Sequence, residues 1–219
     1  MFGIDKNVDD LPYHGGLDQV HTVDGNQAMA TLTQILDLLC SDSYESRLAV
    51  LDIKLNNSTR LIEAIATTIK DHKGNNSMEY WRKKLIIGIW HPRHLGPVKT
   101  HLPAFAITNI AMSLSYSRKH FMYDEKVESL NVLFTLLRGR SGQQFINEAH
   151  QLGKHVMAWT VNGKDSLLWT MSLGLKGITT DNPEELKDLV DLPEPPPKDF
   201  FTIKRTVQYF LISLLARVM

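Results

Sequence analysis

The chain has 219 residues, 43% of them apolar and 22% charged, a composition that suits one large or two small globular domains and excludes disorder over most of its length. Lysine plus arginine equals aspartate plus glutamate at 24 each, so no global field attracts nucleic acid or an acidic membrane, and any anion has to be met locally. The single cysteine, Cys40, excludes an intramolecular disulfide and fits a reducing, intracellular compartment, cytoplasmic or membrane-associated; no secretory signal opens the chain.

Residues 1–27, rich in Gly, Asp, His and Asn, read as an irregular lead-in. From Thr31 to Cys40 the apolar positions Leu32, Ile35, Leu36 and Leu39 recur at helical spacing, with Thr31 or Thr33 as the cap. Leu48 to Leu55 is a strand whose apolar run is broken by Asp52 and Lys54. Thr59 to Ile69 is helical by spacing, and a second helical patch at Tyr80 to Lys84 leads into the apolar strand Leu85 to Trp90, stopped by His91-Pro92. Phe105 to Leu114 and Val132 to Leu137 are the next expected strands. Ser141 to Leu152 is a helix ending at Gly153, a residue suited to a left-handed cap. His155 to Val161 is a strand, Asp165 to Leu173 a helix, Gly177 to Thr180 the last strand, and Pro183 to Val190 a short closing helix.

Near-continuous apolar strands alternating with helices are what a parallel sheet buried on both faces requires. The expected fold is therefore α/β, a TIM-type (β/α)8 barrel lacking its first two strands. Six strands can be read where the closed barrel has eight, and such barrels typically run to roughly 250 residues. Residues 1–190 form the expected incomplete barrel. Residues 191–199 are a proline-rich extended linker, and 200–219 a C-terminal apolar tail helix, with Lys204-Arg205 ahead of Val207 to Leu215. That run is too short to span a bilayer, which takes about 20 apolar residues. A helix lying in the membrane interface and a helix packing on protein both fit it.

In parallel α/β proteins chemistry collects at the carboxyl ends of strands. Alternation places Asp52 and Lys54 on one face of their strand, where a carboxylate and an ammonium are costly unless each binds something. A divalent cation and a phosphate would satisfy them; a mutual ion pair would too. Trp159 and Asn162 stand at the mouth of the next-to-last strand, the indole serving as a flat apolar wall or as core. Asp181, just before Asn182-Pro183-Glu184, reads as a helix cap. Of nine histidines, His91 is singled out as a lining residue because it follows a strand directly; His94 makes His-x-x-His with it, a weak metal pattern without a third ligand. Tyr116, Arg118 and Asn131 border strands without a discriminating pattern. No glycine-rich nucleotide loop is present.

The wording of the strand ends is familiar. Ala158-Trp159-Thr160-Val161-Asn162 with Gly177-Ile178-Thr179-Thr180-Asp181-Asn182-Pro183 resembles the last two barrel strands of the glycerophosphodiester phosphodiesterase family, metal-dependent enzymes that cleave phosphodiesters of glycerol. Leu51-Asp52-Ile53-Lys54 resembles that family's Glu-Ile-Lys strand, and the chain looks most like the fungal branch that includes phosphatidylglycerol phospholipase C. The resemblance implies Asp52 as a metal ligand one methylene shorter than the usual glutamate. It also implies Lys54 on the phosphate and Trp159 lining the glycerol site, Ca²⁺ or Mg²⁺ as cofactor, and a glycerophosphodiester or glycerophospholipid substrate, at a membrane surface if the tail engages one. Asn162 and His91 join the substrate-binding set from their position at strand exits alone.

The family's His-Arg-Gly strand, its Glu-x-Asp metal pair and the His-Asp dipeptide that follows do not occur in these residues. Phe2-Gly3-Ile4-Asp5 resembles the segment just beyond them. In-line attack on a phosphodiester needs a base, an acid and a metal to take up charge. The expectation is thus an N-terminally truncated family member, hydrolytic in its full-length form and inactive as this chain. The alternative is a non-catalytic remnant that binds glycerol phosphate or a protein partner.

Overall fold

The computed structural model describes residues 11–23, 27–74, 77–191 and 195. The sequence expectations for Phe2 to Asp5, for most of the proline-rich linker and for the apolar tail fall outside the described residues. The chain divides into two compact units, Met1–Leu48 with Glu63–Lys84, and Ala49–Ile62 with Leu85–Met219.

In the first unit, α1 (Leu32–Leu39) starts at Thr31, whose hydroxyl accepts from the Gln34 amide at 3.3 Å while the Gln34 side chain accepts from the Thr31 amide at 2.8 Å. That reciprocal pairing satisfies two of the amides left over at a helix start. Leu36 and Leu39 form its buried stripe. The second part of α2 (Arg60–Lys70) and all of α3 (Met78–Lys84) belong to this unit, and Ile69 and Trp81 are fully buried in it. The polar groups of this small core are tied to the chain. His72 Nε2 lies 2.9 Å from Asp37, the Tyr80 hydroxyl donates to the Leu39 carbonyl, and the nearly buried Lys84 ammonium donates to the carbonyls of Tyr44 and Glu45.

The second unit is built on a six-stranded sheet, parallel at every pairing and ordered as in the chain: β1 (Ala49–Ile53), β2 (Leu85–Ile89), β3 (Ala106–Ala111), β4 (Val127–Leu133), β5 (His155–Trp159) and β6 (Gly177–Ile178). Among the described residues β1 and β6 each have one neighbour, so the sheet is the open half-barrel expected of a TIM-type fold short of strands. Residues paired in register share a face. Asp52, Gly88 and Thr108 are in line on one face, as are Ile110, Asn131, Met157 and Gly177. The opposite face holds Ile53, Ile87, Ile89, Leu130, Val132, Val156 and Ala158, each 1% exposed or less. Burying each large member of that set contributes about 1.5–3 kcal/mol.

Between successive strands lie α4 (Leu95–His101), α5 (Leu114–Ser117) with a wider turn at Arg118–Met122, α6 (Gly139–Gln151) and α7 (Lys164–Met171), while α8 (Pro183–Asp191) follows β6. α5 packs on β3, α6 on β5, and α7 on α8. Phe145, Ile146 and Ala149 are the buried stripe of α6. Its end carries the expected left-handed glycine: Gly153 has φ +70°, its amide donates to His150 and the Lys154 amide to Ala149, the paired bonds of a Schellman turn.

Three readings are corrected. The strand expected at Val132 to Leu137 lies at Val127–Leu133, and Phe134–Leu137 is a 3₁₀ turn. Phe134 and Leu137 are apolar because the turn itself is buried, while the exposed Glu128 hides the first half of the strand. The strand expected from Phe105 to Leu114 ends at Ala111, and Leu114 opens α5, capped by the Ser113 hydroxyl. Asp181 does not cap α8: the Glu185 amide donates to the Asn182 side chain instead, and Asp181 accepts from the Asn162 amide nitrogen at 2.6 Å.

Candidate functional site

The carboxyl ends of β1, β2 and β3 enclose a cavity of about 960 Å³, lined by Lys54, Leu55, Asn56, Trp90, His91, Ile110 to Ser113 and Tyr116. Its walls follow from the topology, because in a parallel sheet each strand's exit loop opens on the same side. Lys54 stands one residue beyond β1, Trp90 and His91 directly beyond β2, and Met112 and Ser113 directly beyond β3.

Asp52 and Lys54 are brought together. The ammonium is 2.5 Å from one carboxylate oxygen of Asp52, and the Trp90 indole donates to the other at 2.7 Å. The Lys54 ammonium also lies 5.3 Å from the centre of the Trp90 ring, within cation–π range. The two side chains are 59% and 34% exposed, and a pair that wet is worth roughly 0–1 kcal/mol, so another anion can compete for the lysine. The lysine backbone is fixed more firmly. Its amide donates to the Asn57 side chain at 2.7 Å, and the Asn57 carbonyl receives the His94 ring at 2.9 Å and the Arg93 guanidinium at 3.3 Å.

Trp159 does not face the Asp52–Lys54 pair directly. Trp90 stands between, its ring meeting Trp159 edge to face at 5.3 Å, and the Trp159 indole donates to the Asn131 carbonyl. Asn162 is elsewhere again, at the ends of β5 and β6, where its carbonyl oxygen takes the Thr180 hydroxyl and the Asp181 amide. Of the residues singled out from sequence, Lys54 and His91 line the cavity, Asp52 adjoins it through Lys54 and Trp90, and Trp159 and Asn162 are outside its lining. Trp90 was read only as the end of a strand, although an indole followed by His-Pro at a strand exit was the available signal. Tyr116 was legible as bordering a strand but nothing marked it as cavity-facing.

The His91 ring accepts the Arg93 backbone amide at 3.1 Å through Nδ1. Burial, then the neighbouring Arg93, His94 and His120, push its pKa below the ordinary value, so the ring is neutral at pH 7. Burial raises the Tyr116 hydroxyl and keeps it protonated.

A resident divalent cation needs several oxygen or nitrogen donors converging on one point. Among the described residues no group of three or more His, Cys, Asp or Glu side chains is so placed, and both oxygens of Asp52 are already engaged. The described residues do not fit such an ion by themselves. What they can do is hold an anion at Lys54 beside an apolar hollow.

A half-barrel of parallel strands with polar groups gathered at the strand exits defines a TIM-type α/β protein, and its candidate site lies at the carboxyl ends of the strands. The sequence profile of the glycerophosphoryl diester phosphodiesterase family matches residues 6–185, and the chain belongs to that family, whose members are phosphoric diester hydrolases that typically use a divalent metal. Solved structures agree on the fold. A phosphodiesterase from Oleispira antarctica, in complex with the product sn-glycerol-3-phosphate, is 15% identical with a TM-score of 0.66, over 87% of this chain and 74% of that one. A glycerophosphodiester phosphodiesterase from Parabacteroides distasonis is 17% identical with a TM-score of 0.61, over 80% and 69%. One from Thermotoga maritima is 16% identical with a TM-score of 0.52, over 77% and 65%. No curated protein matches the chain.

Proposed function

We propose that this chain carries the substrate-holding part of a glycerophosphodiester phosphodiesterase site, with Lys54 receiving the phosphate and the Trp90 wall the glycerol. Trp159, behind Trp90, fixes that wall, and Asp52 keeps Lys54 in place until an anion arrives, serving as one ligand of a cation only where further donors join it. Asn162 orders the neighbouring strand exits. The observation that supports this reading is the half-exposed Lys54 ammonium at the edge of a hollow lined by Leu55, Ile110, Ala111 and Met112. An apolar floor beside a phosphate-binding lysine suits a glycerophospholipid of the phosphatidylglycerol type, the substrate of the phospholipase C branch. Residues 1–190 are the phosphodiesterase domain. The tail at 200–219, read from its sequence alone, brings that domain to a lipid surface; among the described residues no helix is long and apolar enough to cross a membrane.

Among the described residues no cluster of three or more metal-ligating side chains lies at the cavity, and the proposed reading is that this chain binds without turning over. Isothermal titration with sn-glycerol 3-phosphate tests the binding, with Lys54→Met as the control that abolishes it. Incubation with glycerophosphocholine or phosphatidylglycerol in the presence of Ca²⁺ or Mg²⁺ tests the chemistry. Turnover of ordinary enzymatic size, roughly 1–10³ s⁻¹, would sink the claim of inactivity. Equal affinity in wild type and Lys54→Met would sink the assignment of the phosphate.

A further inference from the structure

His91 occupies a position that rarely needs an imidazole. It precedes the 3₁₀ turn Pro92–His94 with extended backbone, φ −120° and ψ 136°, and its side chain caps that turn by accepting the Arg93 amide. Asparagine, aspartate, serine and threonine are the usual residues for such a cap, and each would do it with fewer atoms. What histidine adds is a second nitrogen. With Nδ1 committed as an acceptor, the neutral ring carries its proton on Nε2. No described residue pairs with Nε2, and the ring lines the cavity together with Lys54.

The ring is also held at its base. The turn that follows it is tied to the loop after β1, where the Arg93 guanidinium donates to the carbonyls of Leu55 and Asn57 and the fully buried His94 to that of Asn57. The Asn57 side chain in turn accepts the Lys54 amide, so one network sets both lining residues.

We infer that His91 is a substrate-binding hydrogen-bond donor of this cavity, its proton fixed on Nε2 by the Arg93 amide and offered to a hydroxyl or ester oxygen on the alcohol half of a phosphate ester whose phosphate sits at Lys54. The inference rests on the proposed function and adds to it the group that distinguishes an esterified phosphate from the free ion. The charged and titratable groups around the ring are Arg93, His94 and His120, with Lys54 and Tyr116 in the same lining. Burial first, and then the three basic neighbours, oppose a charge on the ring, which keeps Nδ1 free to accept.

The test exploits the two amide side chains as partial mimics of the ring. Asparagine places an oxygen where Nδ1 accepts from Arg93 and nothing at Nε2, whereas glutamine reaches the Nε2 position with an N–H donor. For the full chain, His91→Asn is expected to weaken sn-glycerol 3-phosphate binding by about three- to tenfold, the range of one lost hydrogen bond. His91→Gln is expected to stay within about twofold of wild type, and inorganic phosphate to bind all three alike. Wild-type affinity in His91→Asn with weakening in His91→Gln would assign the ring to capping alone and overturn the inference, as would equal weakening in both. Nitrogen chemical shifts of the wild-type imidazole give a readout that needs no variant to fold: a proton found on Nδ1 overturns it. Binding that depends on Lys54 and ignores both His91 variants overturns this inference and leaves the proposed function standing. Absence of binding by the wild-type chain overturns both.

Discussion

Replacing Gly142 with alanine probes the contact that sets α6, and through it β5, in the sheet. A Cβ at Gly142 would stand 2.0 Å from the Leu137 carbonyl oxygen, 2.1 Å from its carbon and 2.4 Å from its Cα. Carbon atoms rest at roughly 3.5–4.0 Å from one another, so the main chain of the Phe134–Leu137 turn or of the helix has to retreat by more than about 1 Å. Overpacking of a core costs typically about 1–3 kcal/mol, and backbone cannot step aside as a rotamer can, which puts Gly142→Ala near the upper end. For a protein of this length each kcal/mol is worth roughly 2–4 °C, so the melting temperature should fall by about 6–12 °C. Gly88→Ala is the matched comparison. Its Cβ would meet Ile110 Cδ1 at 2.9 Å and Val50 Cγ1 at 3.0 Å, the ends of side chains that can turn away, with Asp52 Cα at 3.5 Å. The gain from removing a strand glycine, about 0.5–1 kcal/mol, offsets much of that crowding, and the melting temperature should move by no more than about 3 °C. Thermal unfolding of the two variants followed by circular dichroism decides it. Equal shifts, or an unchanged Gly142→Ala, would refute the claim that the start of α6 lies against the Leu137 backbone.

Thr31→Ala removes one half of the reciprocal cap on α1 and should cost about 1 kcal/mol, visible as faster hydrogen exchange at the Gln34 amide; unchanged protection there would contradict the cap. Burial pushes the Asp124 carboxyl up, but the Lys99 ammonium, the Lys126 amide and Lys154 more than offset it, leaving the group below its ordinary value. A depressed folded pKa contributes stability that is complete above the unfolded value, about 3.9, and lost as pH falls through the folded one, so Asp124→Asn should flatten the acid limb of the stability curve. An acid limb as steep as that of wild type would show that Asp124 does not carry it. Trp90→Phe keeps an aromatic ring, though a smaller one, and deletes the indole donor to Asp52. Because water can reach that carboxylate, the stability loss should stay within about 1.5 kcal/mol, and a larger loss in urea unfolding would mean that the bond is buried more deeply than its surroundings indicate.

The parallel architecture was legible because its signals are local: apolar runs such as Leu85 to Ile89 and the glycine after α6 mean much the same in any protein. The failures came where tertiary burial imitates a strand. Phe134 and Leu137 are apolar for the sake of a buried turn, and periodicity over so few residues does not separate the two cases. α4 contains Gly96 and Pro97 in its first turn, and α5 has a single turn, so neither offered a helical stripe long enough to read. At the site, the pairing of Asp52 with Lys54 followed from strand alternation. The place of Trp90 between that pair and Trp159 did not, since it depends on which of two indoles at neighbouring strand exits leans across the other.

The crossing of those two indoles makes the site its own optical probe. Trp90 has a cation 5.3 Å from its ring centre and a second tryptophan ring centred 5.3 Å away. An ammonium drawn toward a phosphate leaves the indole face, and the local field that shifts tryptophan emission changes with it. Of the chain's four tryptophans, Trp81 is sealed in the first unit, so it supplies a constant background rather than a response. If an anion binds at Lys54 as proposed, its arrival should carry a spectral signature that can be titrated without a label, and loss of that signature in Trp90→Phe would identify the reporting ring.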